Sequence, residues 1–320
     1  MVGRGGWGGT SEQWTLWQLC DSALPIGGFA HSAGLEAAVA EGVVRTGHKE
    51  SLLRFLRSAL ANSCSLHLPL LRDGYSGAGL KDWLHADAVA NACITNKLRV
   101  ARRASLAQGA GLLRVAEAVF LECTLPEGGV HEFRARLRRD ETRSPGACDA
   151  GPGAGRETCL GAAAVEGGQE ERGEGRRAPL LHGDYASSAY GHYAPAFGVV
   201  CRGLGLGEAT SCRAFLFMAA RDILSAATRL SLIGPLQSGQ ILHGLADYVE
   251  TLIMLQERPG AGRGRLEDRA CQVGFPDPDP NPTPNPNAIR AWSLILTKVD
   301  PLMEIIQGNH EQLYSRMFNS

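Results

Sequence analysis

The chain has 320 residues, 44% of them apolar and 20% charged, with 32 basic against 33 acidic side chains and a net charge of −1. That length suits one large domain or two small ones, and the composition is that of an ordinary globular protein. Near-neutral charge offers no bulk attraction to nucleic acid or to an anionic membrane. No apolar run is long enough for a membrane span. The opening "MVGRGGWGGT" lacks the apolar core of a secretory signal, so the nine cysteines are expected to be reduced and the chain cytoplasmic.

Thr10, with Gln13 three residues on, reads as a capping box that opens a first helix. Trp14 and Trp17 share one face of it, near Leu16, Leu19 and Cys20. It ends before Pro25, because the residue before a proline avoids the α region. A second helix is expected from His31 or Ser32, with Leu35, Ala38 and Val39 as its stripe and Gly42 as its left-handed stop. The corner between them is built from Pro25, Gly27, Gly28, Phe29, Ser32 and Gly34. Its paired glycines allow a tight reversal, after which Phe29 is expected to tuck into the core. "SLLRFLRSALAN" continues helical, with Leu52, Leu53, Leu56, Ala59 and Leu60 on one side. From Lys81 to Phe120 the pattern stays helical, and Gly109 and Gly111 are expected to split it in two.

Residues 124–178 then turn rich in Gly, Arg and Glu, with hardly a large apolar side chain. Such a stretch cannot bury enough surface to offset its ordering entropy, and it reads as a disordered insertion within a domain. A long helix follows from about Glu208 to Leu230, with Phe215, Ala219, Ile223, Ala226, Ala227 and Leu230 toward the core. Gly234-Pro235 ends it and starts another that runs to about Gln256. Residues 257–287, with "PDPDPNPTPNPN", read as a second disordered, extended spacer. A helix over about residues 288–299, with Trp292, Ile295, Leu296 and Val299, and a short one opened by Asp300-Pro301 complete the pattern. Strand-like alternation is scarce. The expectation is one all-α domain over 1–320, bundle-like, of about eight to ten helices and carrying two insertions.

Catalytic and cofactor signatures fail in turn. "GLGLGEAT" and "PIGGFAHSAGLE" contain glycines but lack the lysine of a phosphate-binding loop, and neither follows a strand. Cys64 and His67 form a C-x-x-H pair with no second pair nearby, which favours a small core thiol and a surface imidazole over a zinc site. "LHGDYASSAYGHY" places His182, Asp184, Ser187, Ser188 and His192 in one short span. A helical hydrolase could draw on these, although no nucleophile elbow is present. A direct nickel-binding chaperone would need scattered imidazoles such as His31, His67, His182, His192 and His243 to converge. The basic run Arg134 to Arg143 reads as a solvated charge cluster. The ending "HEQLYSRMF" contains Tyr and Arg, the residue types that anchor interfaces.

Three of these segments together resemble the urease accessory protein F family: "SALPIGGFAHSAGLEAAV", "RDILSAATRLSLIGPLQSGQ", and the ending from His310-Glu311 through Tyr314-Ser315-Arg316 to Phe318. The resemblance implies an all-helical, non-enzymatic protein that bridges a D-type (also called H-type) accessory protein and a G-type GTPase. The assembly docks on apo-urease, and GTP hydrolysis accompanies nickel insertion, with the F protein dimeric and regulating the GTPase. No cofactor would then be bound directly, since nickel and GTP are handled by the partners. The resemblance also implies partner contacts at His310, Tyr314, Arg316 and Phe318 for the D-type protein, at Glu36 for the GTPase side, and at Arg229 for that face or the dimer.

Overall fold

The structure is a computed structural model and describes residues 8–95, 99–120, 129–143, 189–257, 301–310, 313 and 316–318. In chain order the helices are α1 (Gly8–Leu19), α2 (Leu35–Ala40), α3 (Lys49–Ser76), α4 (Leu80–Thr95), α5 (Arg99–Val119), α6 (Gly129–Arg143), α7 (Tyr193–Gly203), α8 (Glu208–Arg229), α9 (Pro235–Gly244), α10 (Ala246–Glu257) and α11 (Pro301–Asn309). A 3₁₀ turn, Gly28–Ala30, precedes α2. No strand occurs among the described residues, so the all-α expectation holds.

The helix α7 is apolar on every side, and every residue from Ala194 to Cys201 is buried. A helix of that kind belongs at the centre of a bundle. It packs against α3, α4, α5 and α8, with Phe197 fully enclosed and in edge contact with Phe215 at 5.4 Å between ring centroids. One contiguous core joins these helices to α2, α10 and α11.

Several sequence expectations are corrected. Gly109 and Gly111 do not break a helix; both lie inside α5. A Cβ at Gly109 would stand 1.9 Å from the Gly191 carbonyl oxygen, and one at Gly111 would stand 2.3 Å from that of Ile26. The glycines are there for close approach, and the helices divide instead between Thr95 and Arg99. Within 124–178, residues 129–143 form α6, because Val130, Phe133 and Leu137 fall on one face. Phe133 meets Trp83 edge-on at 5.9 Å, and Arg134 pairs with Glu117, so part of the basic run is anchored. The helix after Pro235 stops at Gly244 and resumes at Ala246.

The first helix begins at Gly8, which places Thr10 inside it rather than at its cap. Trp14 and Trp17 do share a face, 6.4 Å apart, but both are exposed. The second helix opens at Leu35 on Gly34, not at His31 or Ser32. The expected helix over 288–299 lies outside the described residues.

Candidate functional site

The corner, the end of α8, His310 and residues 316–318 converge on one site. The first link is Gly28, which lies so close to α8 that a Cβ would meet Asp222 Oδ2 at 2.0 Å. Asp222 is held by the neighbouring Arg221 at 2.8 Å, and Arg221 also donates to the Cys20 carbonyl. Burial pushes the Asp222 carboxyl upward against the pull of Arg221. Phe29 does not enter the core; it is 60% exposed. The buried apolar side chain of the turn is Ile26, which faces inward where Phe29 faces out.

The second link is Arg229, at the last turn of α8. Its guanidinium lies 3.6 Å from the Phe29 ring centroid and 4.3 Å from that of Phe318, while its Nε donates to the Ser225 carbonyl at 3.3 Å. Aromatic faces attract a guanidinium through the ring quadrupole. One arginine thus joins three segments far apart in sequence.

The third link is Glu36. It lies in the first turn of α2 and is only 9% exposed, so it does not present a free carboxylate on a surface. Its Oε2 accepts from His310 Nε2 at 2.9 Å and from the Phe318 backbone N–H at 3.2 Å, and its Oε1 accepts from the Met317 N–H at 2.5 Å. A buried charge needs such donors, because unpaired it would be strongly destabilising. His310 is fully buried, and its Nε2 donates because the carboxylate facing it can only accept; among the described residues its Nδ1 has no hydrogen-bond partner. Gly34, at φ +85°, lets the chain turn under α11, where Gln307 Nε2 donates to the Ala33 carbonyl at 3.4 Å.

Of the expected contact residues, the structure brings His310, Phe318, Glu36 and Arg229 together. Phe318 is buried and Arg316 is exposed, whereas Tyr314 lies outside the described residues. Pro25 is exposed, and its carbonyl accepts from Arg114 at 3.4 Å. Ser32 is buried.

A cavity of about 210 Å³, mostly apolar, lies beside this site among α3, α5, α8 and α11, with His31, His67 and Asp222 on its wall. Burial holds both imidazoles down, each to about 4, and His310 adds to the effect at His31. His67 accepts or donates at Nδ1 with Ser63 at 3.1 Å. Among the described residues no group of three His, Cys, Asp or Glu side chains could hold a metal ion.

A second polar network was missed in the sequence. Asp87, on α4, is buried and accepts three backbone N–H bonds, from Tyr190 at 2.6 Å, Gly191 at 2.9 Å and His192 at 2.7 Å. It caps α7 from another helix. Burial nevertheless lifts its carboxyl to about 6. His192 meets Ser105 Oγ at Nδ1 (3.1 Å) and Asn91 Oδ1 at Nε2 (3.3 Å). The order serine, histidine, asparagine resembles a nucleophile set. However, His192 is fully enclosed and burial, then Arg102 and His67, holds it down at about 3. Ser105 Oγ also accepts from the Tyr193 N–H. The arrangement fixes the start of α7. His182, Asp184, Ser187 and Ser188 lie outside the described residues.

A family model named UreF matches residues 47–246. The chain belongs to the UreF family. The protein named Urease accessory protein F of Arabidopsis thaliana is 30% identical over 308 residues, spanning 96% of this chain and 92% of the relative. That of Oryza sativa subsp. indica is 30% identical over 305 residues, spanning 95% and 84%. Urease accessory protein UreF of Arthrobacter sp. (strain FB24) is 28% identical over 315 residues, spanning 97% and 98%. The UreF model covers α3 to α9, so the corner and the 310–318 segment lie beyond its matched span.

Proposed function

We propose that this chain is a urease maturation factor: a non-enzymatic scaffold that bridges the D-type accessory protein and the G-type GTPase on apo-urease. The carrying observation is UreF membership with near full-length likeness to relatives named urease accessory proteins. In this reading the chain acts as a dimer in the cytoplasm and regulates the GTPase. GTP is bound by the partner, and nickel is cargo that the assembly delivers. The convergence of corner, α8 end and 310–318 segment supports a built recognition face there. No described helix is long and apolar enough to cross a membrane.

The test is genetic and biochemical. Cells lacking the chain should accumulate apo-urease, and activity should return when the chain is restored. The purified chain should capture the D-type and G-type proteins together. Normal urease activity without the chain would sink the proposal.

A further inference from the structure

The helix α11 and residues 316–318 are attached in two different ways. The helix α11 is fixed by apolar burial, with Met303 and Ile306 in the core, and by Gln307 on the Ala33 carbonyl. Residues 316–318 have a different anchorage. Phe318 is buried on Arg229, and the backbone of Met317 and Phe318 hangs on the Glu36 carboxylate. Between these points the side chains of Arg316 and Met317 are exposed, and Met317 is 61% so. Phe29, also exposed, stacks on the same guanidinium at 3.6 Å.

We infer that Glu36 is a positioning residue for partner docking: its carboxylate sets the backbone of residues 316–318 and so presents Phe29, Arg316 and Met317 as one surface. This rests on the reading of the 310–318 segment as the contact for the D-type protein. Among the described residues the surface sets two apolar side chains beside Arg316 and the partly exposed Arg229, and it suits an apolar partner patch bordered by carboxylates. The role requires a carboxylate specifically. Its two oxygens face three donors, and an amide of the same shape would turn an N–H toward one of them. The distance from α2 to the core is unaffected by that exchange, because Leu35, Ala37 and Ala38 carry the packing.

The experiment uses the full chain with its D-type partner. In E36Q, backbone amide exchange at Met317 and Phe318 should accelerate at least tenfold, while α3, α7 and α8 stay protected. Capture of the D-type protein should weaken by about tenfold, the scale expected for losing one charge-assisted contact. Met317→Pro removes one of the three donors without touching α2, so exchange at Phe318 should accelerate and capture should weaken even if E36Q fails to fold, whereas Met317→Ala, which keeps the N–H and loses only the side chain, should leave Phe318 protected. Faster local exchange with unchanged capture overturns the positioning role. So does a loss of protection spread over the whole bundle in both variants, which would make Glu36 a general stability residue. Deleting residues 310–320 separates the two readings: intact capture there refutes the contact assignment itself.

Discussion

At the residue scale, Gly28 lies against Asp222 with no room for a side chain. Asp222 cannot swing away cheaply, because Arg221 holds its carboxylate and is itself bonded to the Cys20 carbonyl. Gly28→Ala should therefore destabilise the protein by about 1–3 kcal/mol, the usual range for overpacking. Thermal melting of the variant checks this, and an unchanged midpoint would mean that the corner yields. The role of Gly28 could not be read from the sequence, where adjacent glycines suggest only a turn. The same limit applies to Glu36. An acid in the first turn of a helix reads as exposed, and its burial depends on donors more than 270 residues away. Asp87 was equally hidden, since its partners are backbone N–H groups that carry no side-chain signature.

At the element scale, apolar periodicity located α8 and the first half of α3, and Pro301 marked the start of α11, but the second half of α3, which runs on through Pro69 to Ser76, was not anticipated. Periodicity also failed where one residue type serves two purposes. Glycine breaks helices, but it also lets backbones touch, as Gly109 does at the Gly191 carbonyl. Gly109→Ala should raise the intrinsic helix propensity of α5 and yet cost about 2 kcal/mol or more, because the methyl meets backbone rather than a movable side chain. A circular-dichroism melt decides between the two: a higher midpoint would refute the close-contact account. α6 was overlooked because its three apolar residues are diluted by charged neighbours. Phe133→Ala should remove its main attachment to Trp83 and cost about 3 kcal/mol. Limited proteolysis within 129–143 should become faster as a result.

At the scale of the whole molecule, buried titratable groups set the response to acid. His31, His67 and His192 all have folded values below their ordinary one, at about 4, 4 and 3. The unfolded chain therefore binds more protons as pH falls from about 6.5, and these groups lose stability in that window. Asp87 acts in the opposite direction. Its folded value of about 6 makes the native state take up a proton first, and Asp222 is displaced the same way. Three histidines outweigh two carboxyls, so net stability should decline by about 2 kcal/mol between pH 6.5 and 5. That is a drop of about 6 °C in melting temperature for a domain of this size. A flat profile over the same range would show that the histidines do not outweigh the carboxyls.

The clamp at Glu36 also has a consequence in time. A growing chain emerges at about 5–20 residues per second, so roughly half a minute of synthesis separates Glu36 from Met317. Over that interval the central helices can already pack, while the carboxylate stays hydrated and the face beside Phe29 stays incomplete. The recognition surface is thus the last part of this fold to be finished, and a nascent chain with a settled core still cannot present it.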